Sequence, residues 1–591
     1  MAVFRSDQAQ FTFAPEGAHG GYPEAATGVS DGAGTARVNM ADGLEAGSRQ
    51  ITVDALSGLT AGEYIQIGPE VGGSSTFTDE QEAEVRRVEY VDGTTGLTLD
   101  SPTAFFHADN ADITVVLGVT EATTDKFISW VPGVYETVDT PDPEMAIEGR
   151  YLLGVGQKRN FFQAYKGQQT FTGSVGSFVL LNGWPLRFPI GKVNSIQVGG
   201  TLSTSTDTDL EIAAKKGDYF IKVDETTNLT AGTTIQIDYD ATPTATTNSE
   251  IREVVSRSTS SGAGFLRLNY PLQFDHAVLT SSTQIRVITG SPYYRHDIFE
   301  TVDLDTMSWN VHMRDSGETA ANDFNRRWFG GHCGSMSISA DEGGLLTAGW
   351  DSVTFQDMVH NQKLYNKYDA DATVSVINDA ALPGFQFMQQ ISSDDIGVPA
   401  KDGANGLTSA HGGFPSTEPY YFSQGSLILS NRVFARVRNF SISISNAEEP
   451  RYYINNQGKG TRRHRGPSEI RENQREYSMS ATVALPDSGN ATTNDAVNLF
   501  KELILEGDYG AEGSADMSGF KVVLTFTRGS NDSITFTIPN DGTAAAGGGE
   551  QGAFIRSAAH GITGDNPLQT DVDILFRNMK IEINDSEPFY P

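Results

Sequence analysis

One segment of this chain is written twice, and that restricts the fold more than any other feature. GSRQITVDALSGLTAGEYIQI, starting at Gly47, is answered by GDYFIKVDETTNLTAGTTIQI, starting at Gly217. Ile51, Val53, Asp54, Leu59, Thr60, Ala61, Gly62, Ile65 and Ile67 reappear as Ile221, Val223, Asp224, Leu229, Thr230, Ala231, Gly232, Ile235 and Ile237. The match continues from Glu84-Val85-Arg86 to Glu250-Ile251-Arg252, and from Leu97, Leu99, Pro102 and His107 to Leu266, Leu268, Pro271 and His276. Alternation of apolar and polar residues makes each piece a strand, and the Leu-Thr-Ala-Gly turn joins two of them. The chain therefore carries two copies of a small β-barrel or sandwich module, over 45–120 and 205–290. His107 and His276 hold equivalent places. A metal site is one reading of them, and satisfaction of backbone groups before the last strand is the preferred one.

A second constraint runs from Val433 to Leu485. Phe440, Ile442 and Ile444 alternate with Ser441, Ser443 and Ser445, and Tyr477, Met479, Ala481 and Val483 repeat the period on a second strand. Between them lies an Arg-rich polar excursion far longer than a hairpin loop. A similar order, with strand, long loop, strand and apolar segment, occupies 127–198. There, Arg159 to Leu181 parallels Arg471 to Leu485. "GSMSISADEGGLLTAGWDSVTF" is also similar to "NFSISISNAEEPRYYI", with Met336 and Ile338 standing in for Ile442 and Ile444. Asn494 to Leu505 is the best helical stretch, with Val497, Phe500, Leu503 and Ile504 on one face behind an Asn/Asp cap.

"FSISISNAEEPRYYI…RGPSEIRENQREYSMSATVAL" resembles the tail tube, or major tail, proteins of long-tailed viruses. The resemblance implies a structural virion protein with no enzymatic activity and no cofactor. Such a subunit is assembled in the host cytoplasm into stacked rings around a channel for DNA. Ring closure in that family joins the inner sheets of neighbouring domains into a continuous β-barrel, which removes open strand edges. The expected fold is mainly β: two tail-tube-type sandwich or barrel domains with a flanking helix, plus the two accessory modules. The expected organisation is an extended arm at 1–44, a first tube-like domain over 125–200 and 290–360 split by the second module, a connector at 361–417, and a second tube-like domain at 418–591. Insertion of a module at a loop tip costs little where the loop ends are close.

Partners implied by the resemblance are copies of the chain itself, the tape measure protein and DNA transiently in the lumen, and other tail proteins at the ends. Two tube domains per chain imply homotrimeric pseudo-sixfold rings, or hexameric rings if the front half is not a true tube domain. A baseplate or tail-tip hub, and a multi-module surface adhesion protein, are the alternatives. Candidate subunit-interface residues are Tyr452, Tyr453, Arg462, Arg463, Arg465, Arg471 and Arg475 in the rear loop and strand, and Arg159, Phe161, Phe162 and Lys166 in the front loop. In so acidic a chain the preferred partner of the Arg462–Arg465 cluster is a carboxylate-rich face of the next subunit, through forked Arg pairs.

The chain has 75 Asp and Glu against 42 Lys and Arg, a formal net charge of −33. Such a surface repels phosphate rather than gripping it, so DNA binding of the usual kind is disfavoured. The same charge suits a channel wall past which DNA must slide. It also fits either simple solubility or a high-salt (halophilic) environment, where screening tolerates dense carboxylates. A single cysteine, Cys333, rules out an internal disulfide or a multi-cysteine cluster, and is read as a small core residue rather than a nucleophile. No HExxH, Walker A or CxxC pattern occurs, and the acidic run at Asp207 and Asp209 lacks EF-hand spacing. Neither a signal peptide nor an apolar stretch of membrane-spanning length is evident, so no membrane association is expected.

Overall fold

The computed structural model describes residues 9–16, 30–45, 48–56, 59, 64–68, 84–92, 95–99, 103, 105–117, 132–142, 144–150, 163–238, 248–257, 262–278, 284–313, 324–360, 418–429, 432–434, 437–453, 466–467, 469–484, 522–538, 553–561 and 569–590. Among them the chain is mainly β, with short 3-10 turns such as Trp184–Arg187. The helix expected at Asn494–Leu505 and the connector at 361–417 lie outside the described residues.

The largest sheet follows the sequence's alternation closely. Its path runs from the broken edge strand Val134–Tyr135 and Val138–Asp139 to Thr172–Val179, Thr347–Thr354 and Phe324–Asp341. It then crosses to Val437–Ser445, Glu476–Ala484, Gln569–Phe576 and Ala553–Gly561, with every neighbour antiparallel. Phe440, Ile442, Ile444, Tyr477, Met479, Val572 and Ile574 are buried on one face. Facing them is a seven-stranded sheet in the order Gly191–Gln197, Tyr294–Glu300, Lys580–Asp585, Asp532–Ile538, Val522–Gly529, Gly425–Leu429, Arg432–Phe434. Ile534, Phe536, Ile581 and Ile583 from that sheet join the same hydrophobic core.

Two sequence expectations change here. The tube-like units at 125–200 with 290–360 and at 418–591 do not stand apart. Met336 pairs with Ile444 and Ile338 with Ile442 in one sheet, and Ile298 pairs with Ile581 in the other, so both halves share both sheets and one core. The arm at 1–44 is also not merely extended. Ala9–Pro15 adds as a strand to Met307–Met313, and Ser30–Arg37 is the first strand of the first module. Phe11 and Phe13 order the first of these. Phe13 stacks on Trp184 at 4.4 Å and meets Trp350 edge-on at 4.6 Å, deep in the core.

The strand order extends the likeness between 127–198 and 433–485 into an internal repeat of the whole large sheet. In the front half, the large sheet takes its strands in the chain order first, second, fourth, third: 134–139, 172–179, 347–354, 324–341. In the rear half it does the same: 437–445, 476–484, 569–576, 553–561. Between first and second strands each half sends out a two-stranded arm, Glu144–Arg150 with Gln163–Thr170 in front and Glu449–Arg451 with Glu469–Arg471 behind. Between second and third strands each half gives a hairpin to the other sheet, and these flank Lys580–Asp585 from either side. The rear hairpin closes in a tight turn between Gly529 and Asp532, whereas the front one carries the whole second module at its tip. The ladder counterpart of Val437–Ser445 is thus the strand at 134–139. The likeness of Met336 and Ile338 to Ile442 and Ile444 reflects shared alternation on neighbouring strands.

The two modules have one topology. Module 1 orders its strands Ser30–Arg37, Asp112–Leu117, Tyr64–Ile67, Glu84–Asp92, Gly96–Leu99, Gln50–Thr52. Module 2 orders Thr201–Thr208, Ile285–Thr289, Thr234–Ile237, Glu250–Arg257, Gly264–Leu268, Phe220–Val223 in the same way. Bridges from Val38 to Val53 and from Leu210 to Val223 tie the last strand back to the segment following the first. Asp54 and Asp224 clamp that seam identically, accepting from the Arg37 amide at 2.8 Å and the Asp209 amide at 3.0 Å.

Candidate subunit interface

The front arm is the most exposed regular element described. Ile147 is 67% and Tyr165 53% exposed on its two strands. An isolated two-stranded hairpin has little stability of its own in water, so an arm with solvent-facing apolar residues suits packing on another surface. Lys166 lies in this arm opposite Ile147. The rear arm holds Arg451 against Glu449 at 2.7 Å and Arg471 against Glu469 at 2.9 Å, both pairs solvent-exposed. The half-buried Tyr452 links the arms by donating its hydroxyl to the Gln169 carbonyl at 3.1 Å, and Tyr453 beside it is 49% exposed. Arg159, Phe161, Phe162, Arg462, Arg463 and Arg465 lie outside the described residues.

Arg475 is engaged within the chain. Its guanidinium donates to Asn446 Oδ1 at 2.7 Å and the Ile190 carbonyl at 3.2 Å, and lies 3.3 Å from Glu300, bolting the start of its strand to the second sheet. The alternation that buries Tyr477 leaves Arg475 on the same side, close to the sheet-to-sheet seam.

The outer face of the large sheet is hydroxyl-rich and acidic. Direct cross-strand partners share a face, and one row reads Thr347, Ser339, Ser441, Ser480, Asp573, Ser557. Its carboxylates are held by hydroxyls: Ser174 donates to Asp139 at 3.1 Å, Ser337 to Asp351 at 3.2 Å and Thr482 to Asp571 at 2.8 Å. Partial burial raises Asp351 above the usual carboxylate value, against the pull of Ser337. Arg556 sits 3.7 Å from Asp573 and 3.9 Å from Glu476.

Elsewhere the titratable groups read as structural. Cys333 is buried, and burial pushes its thiol well up, with Glu448 and Asp351 adding to the effect, so no thiolate is offered. The neighbouring His332 points to the opposite side of the strand, toward Glu472 at 3.6 Å. The equivalent histidines of the modules pair through the backbone, with Leu44 and with Ala214, and each side chain engages a buried glutamate. His107 Nε2 lies 2.8 Å from Glu84 and His276 Nε2 2.6 Å from Glu250. Each glutamate also holds an arginine two residues on, Arg86 at 2.6 Å and Arg252 at 2.5 Å. These six positions match between the copies in sequence, and the fold joins them as two triads. Burial alone would push His276 down, but Asp238 at 2.6 Å and Glu250 overturn that and raise it to about 9. Burial likewise opposes ionisation of Glu250, yet Arg252 and His276 hold it below the ordinary value. Among the described residues no group of three or more His, Cys, Asp or Glu is placed to hold a metal ion, and no helix is long and apolar enough to cross a membrane. No protein-family model and no curated protein matches this chain.

Proposed function

We propose that this chain is a virion tail tube subunit that polymerises with its own copies into stacked rings around a channel for DNA. The repeated strand order of the large sheet carries the reading. Front and rear ladders run in the same direction and are joined side by side, 324–341 to 437–445. By position, the edge that Ala553–Gly561 forms among the described strands corresponds to 324–341, and the edge at 134–139 corresponds to 437–445. The contact inside the chain is therefore a template for one between chains, joining the third-in-chain-order strand of one half to the first of the next. Such a head-to-tail contact makes rings where the rotation closes. The Ser, Thr and Asp face would then line the channel, where fixed carboxylates repel phosphate and prevent sticking. The exposed arms would reach the adjacent subunit or ring.

Electron microscopy of the purified chain tests this, alone and with Val134→Lys, which places a charge on the open edge without touching the core. Rings or tubes in the wild type, lost in the variant at unchanged circular dichroism, support the reading. A wild-type chain that stays monomeric at high concentration overturns it.

A further inference from the structure

We propose that the two modules are stacked on the body by one repeated docking rule, and that module 1 ends the stack with a polar cap at the position where module 2 has its seat. This does not rest on the tube reading.

The docking side of each module is the same. In module 2, Ile251 enters the core of the body, and Phe274 lies under Lys192 of the body strand Gly191–Gln197, with Nζ 4.9 Å from the ring centre. In module 1 the equivalent Val85 enters a small cluster with Ile212, Tyr219, Phe220 and Phe265 of module 2. The equivalent Phe105 lies under Lys215 of module 2, again at 4.9 Å. Arg86 and Arg252 are both braced on a backbone carbonyl at 2.8 Å, that of Val85 and that of Ile251. Arg86 then reaches across to Asp218 of module 2 at 2.9 Å. So an aliphatic residue, a phenylalanine under a lysine and a braced arginine recur at both joints.

The seat on module 2 does not recur on module 1. At the places of Ile212, Lys215, Asp218, Tyr219, Phe220 and Phe265, module 1 has Asp42, Glu45, Ser48, Arg49, Gln50 and Gly96. The apolar floor has become polar, and the lysine that covers the docking phenylalanine has become a glutamate. Asp42, Glu45 and Gln50 are exposed. Stacked repeats generally need a polar outer face on the terminal unit, and module 1 has one. The partner that fits the module 2 seat is a second copy of this module type, and no third copy can follow.

The test exchanges the two identities in the full chain. Ile212→Asp with Tyr219→Arg, Phe220→Gln and Phe265→Gly turns the seat into a cap. Hydrogen exchange at Val85–Arg86 should then accelerate at least tenfold, while Ile113–Val115 and Glu250–Val254 keep their protection, which shows both modules still folded. Retained protection at Val85–Arg86 overturns the proposal. Where the fourfold variant does not fold, the charge pair replaces it: Arg86→Asp alone undocks module 1 and the added Asp218→Arg redocks it, and absence of that rescue counts against the rule. A tagged chain carrying Asp42→Ile, Glu45→Lys, Arg49→Tyr, Gln50→Phe and Gly96→Phe should capture the undocked variant, and the wild-type chain should not. Equal capture by both overturns the cap.

Discussion

The buried triad of module 2 gives the sharpest handle on stability. His276 and Glu250 are each 0% exposed at the side chain and lie 2.6 Å apart, with Asp238 at the other ring nitrogen. The imidazole rises from an ordinary 6.5 to about 9 on folding, so the folded state binds its proton more tightly than the unfolded chain does. Stability from this group is fully present below pH 6.5 and disappears as pH rises through about 9. At about 1.4 kcal/mol per pH unit the loss is about 3 kcal/mol, a hundredfold or more in local opening. Hydrogen exchange of Glu250–Arg257, corrected for intrinsic rates, should show that loss between pH 6.5 and 9.5. Asp238→Asn should flatten the slope by removing one of the two carboxylates that hold the proton. A wild-type protection that stays flat over this range would refute the linkage. Glu250→Ala gives the same argument in another form. It removes the carboxylate paired with the buried Arg252, while His276 keeps Asp238, and should cost about 3–5 kcal/mol. Glu84→Ala should cost less, because Arg86 keeps Asp218 at 2.9 Å.

Two further outcomes follow from single contacts. Tyr452→Phe removes the hydroxyl bonded to the Gln169 carbonyl and should cost about 1 kcal/mol, read as faster exchange in Gln163–Thr170 with the body unchanged. Cys333 should resist iodoacetamide at pH 8 in the native chain and react at the rate of a free thiol only after unfolding, because burial suppresses its thiolate.

The duplicated module was legible because its strands are set by local alternation and by a turn that recurs with its glycine, Gly232 having a φ of +84° that other residues rarely adopt. Its triads were not. Glu84 and His107 are distant in sequence, and only the fold decides which of many acids faces which histidine. The N-terminal strands were hidden by composition. Gly, Ala and Asp around Phe11 and Phe13 read as an arm, although two aromatics at alternate positions suffice to add a strand to a waiting edge. Arg475 reads as an interface candidate at the end of the long Arg-rich excursion, whereas its strand phase turns it inward onto Glu300.

The pairing of the two halves was the least legible feature, and it matters most for the tube reading. One sequence likeness sets 127–198 beside the stretch from Val433 to Leu485, but the other equates Phe324–Asp341 with Val437–Ser445, and these strands lie antiparallel side by side. Were they true equivalents, the junction would be a local twofold, an isologous contact that joins two units and stops. Ladder position equates 437–445 with 134–139 instead, and then the step from front to rear is a translation along the sheet with strand direction preserved. A translation can be repeated between chains. The described residues form two four-strand ladders, an even count, so the antiparallel alternation would carry across a junction between chains however many chains were to join. Burial alternation is common to every strand of a two-sided sheet. It identifies which residues face the core and is silent on which strands are counterparts, so topology rather than residue likeness identifies the edges that a ring would have to join.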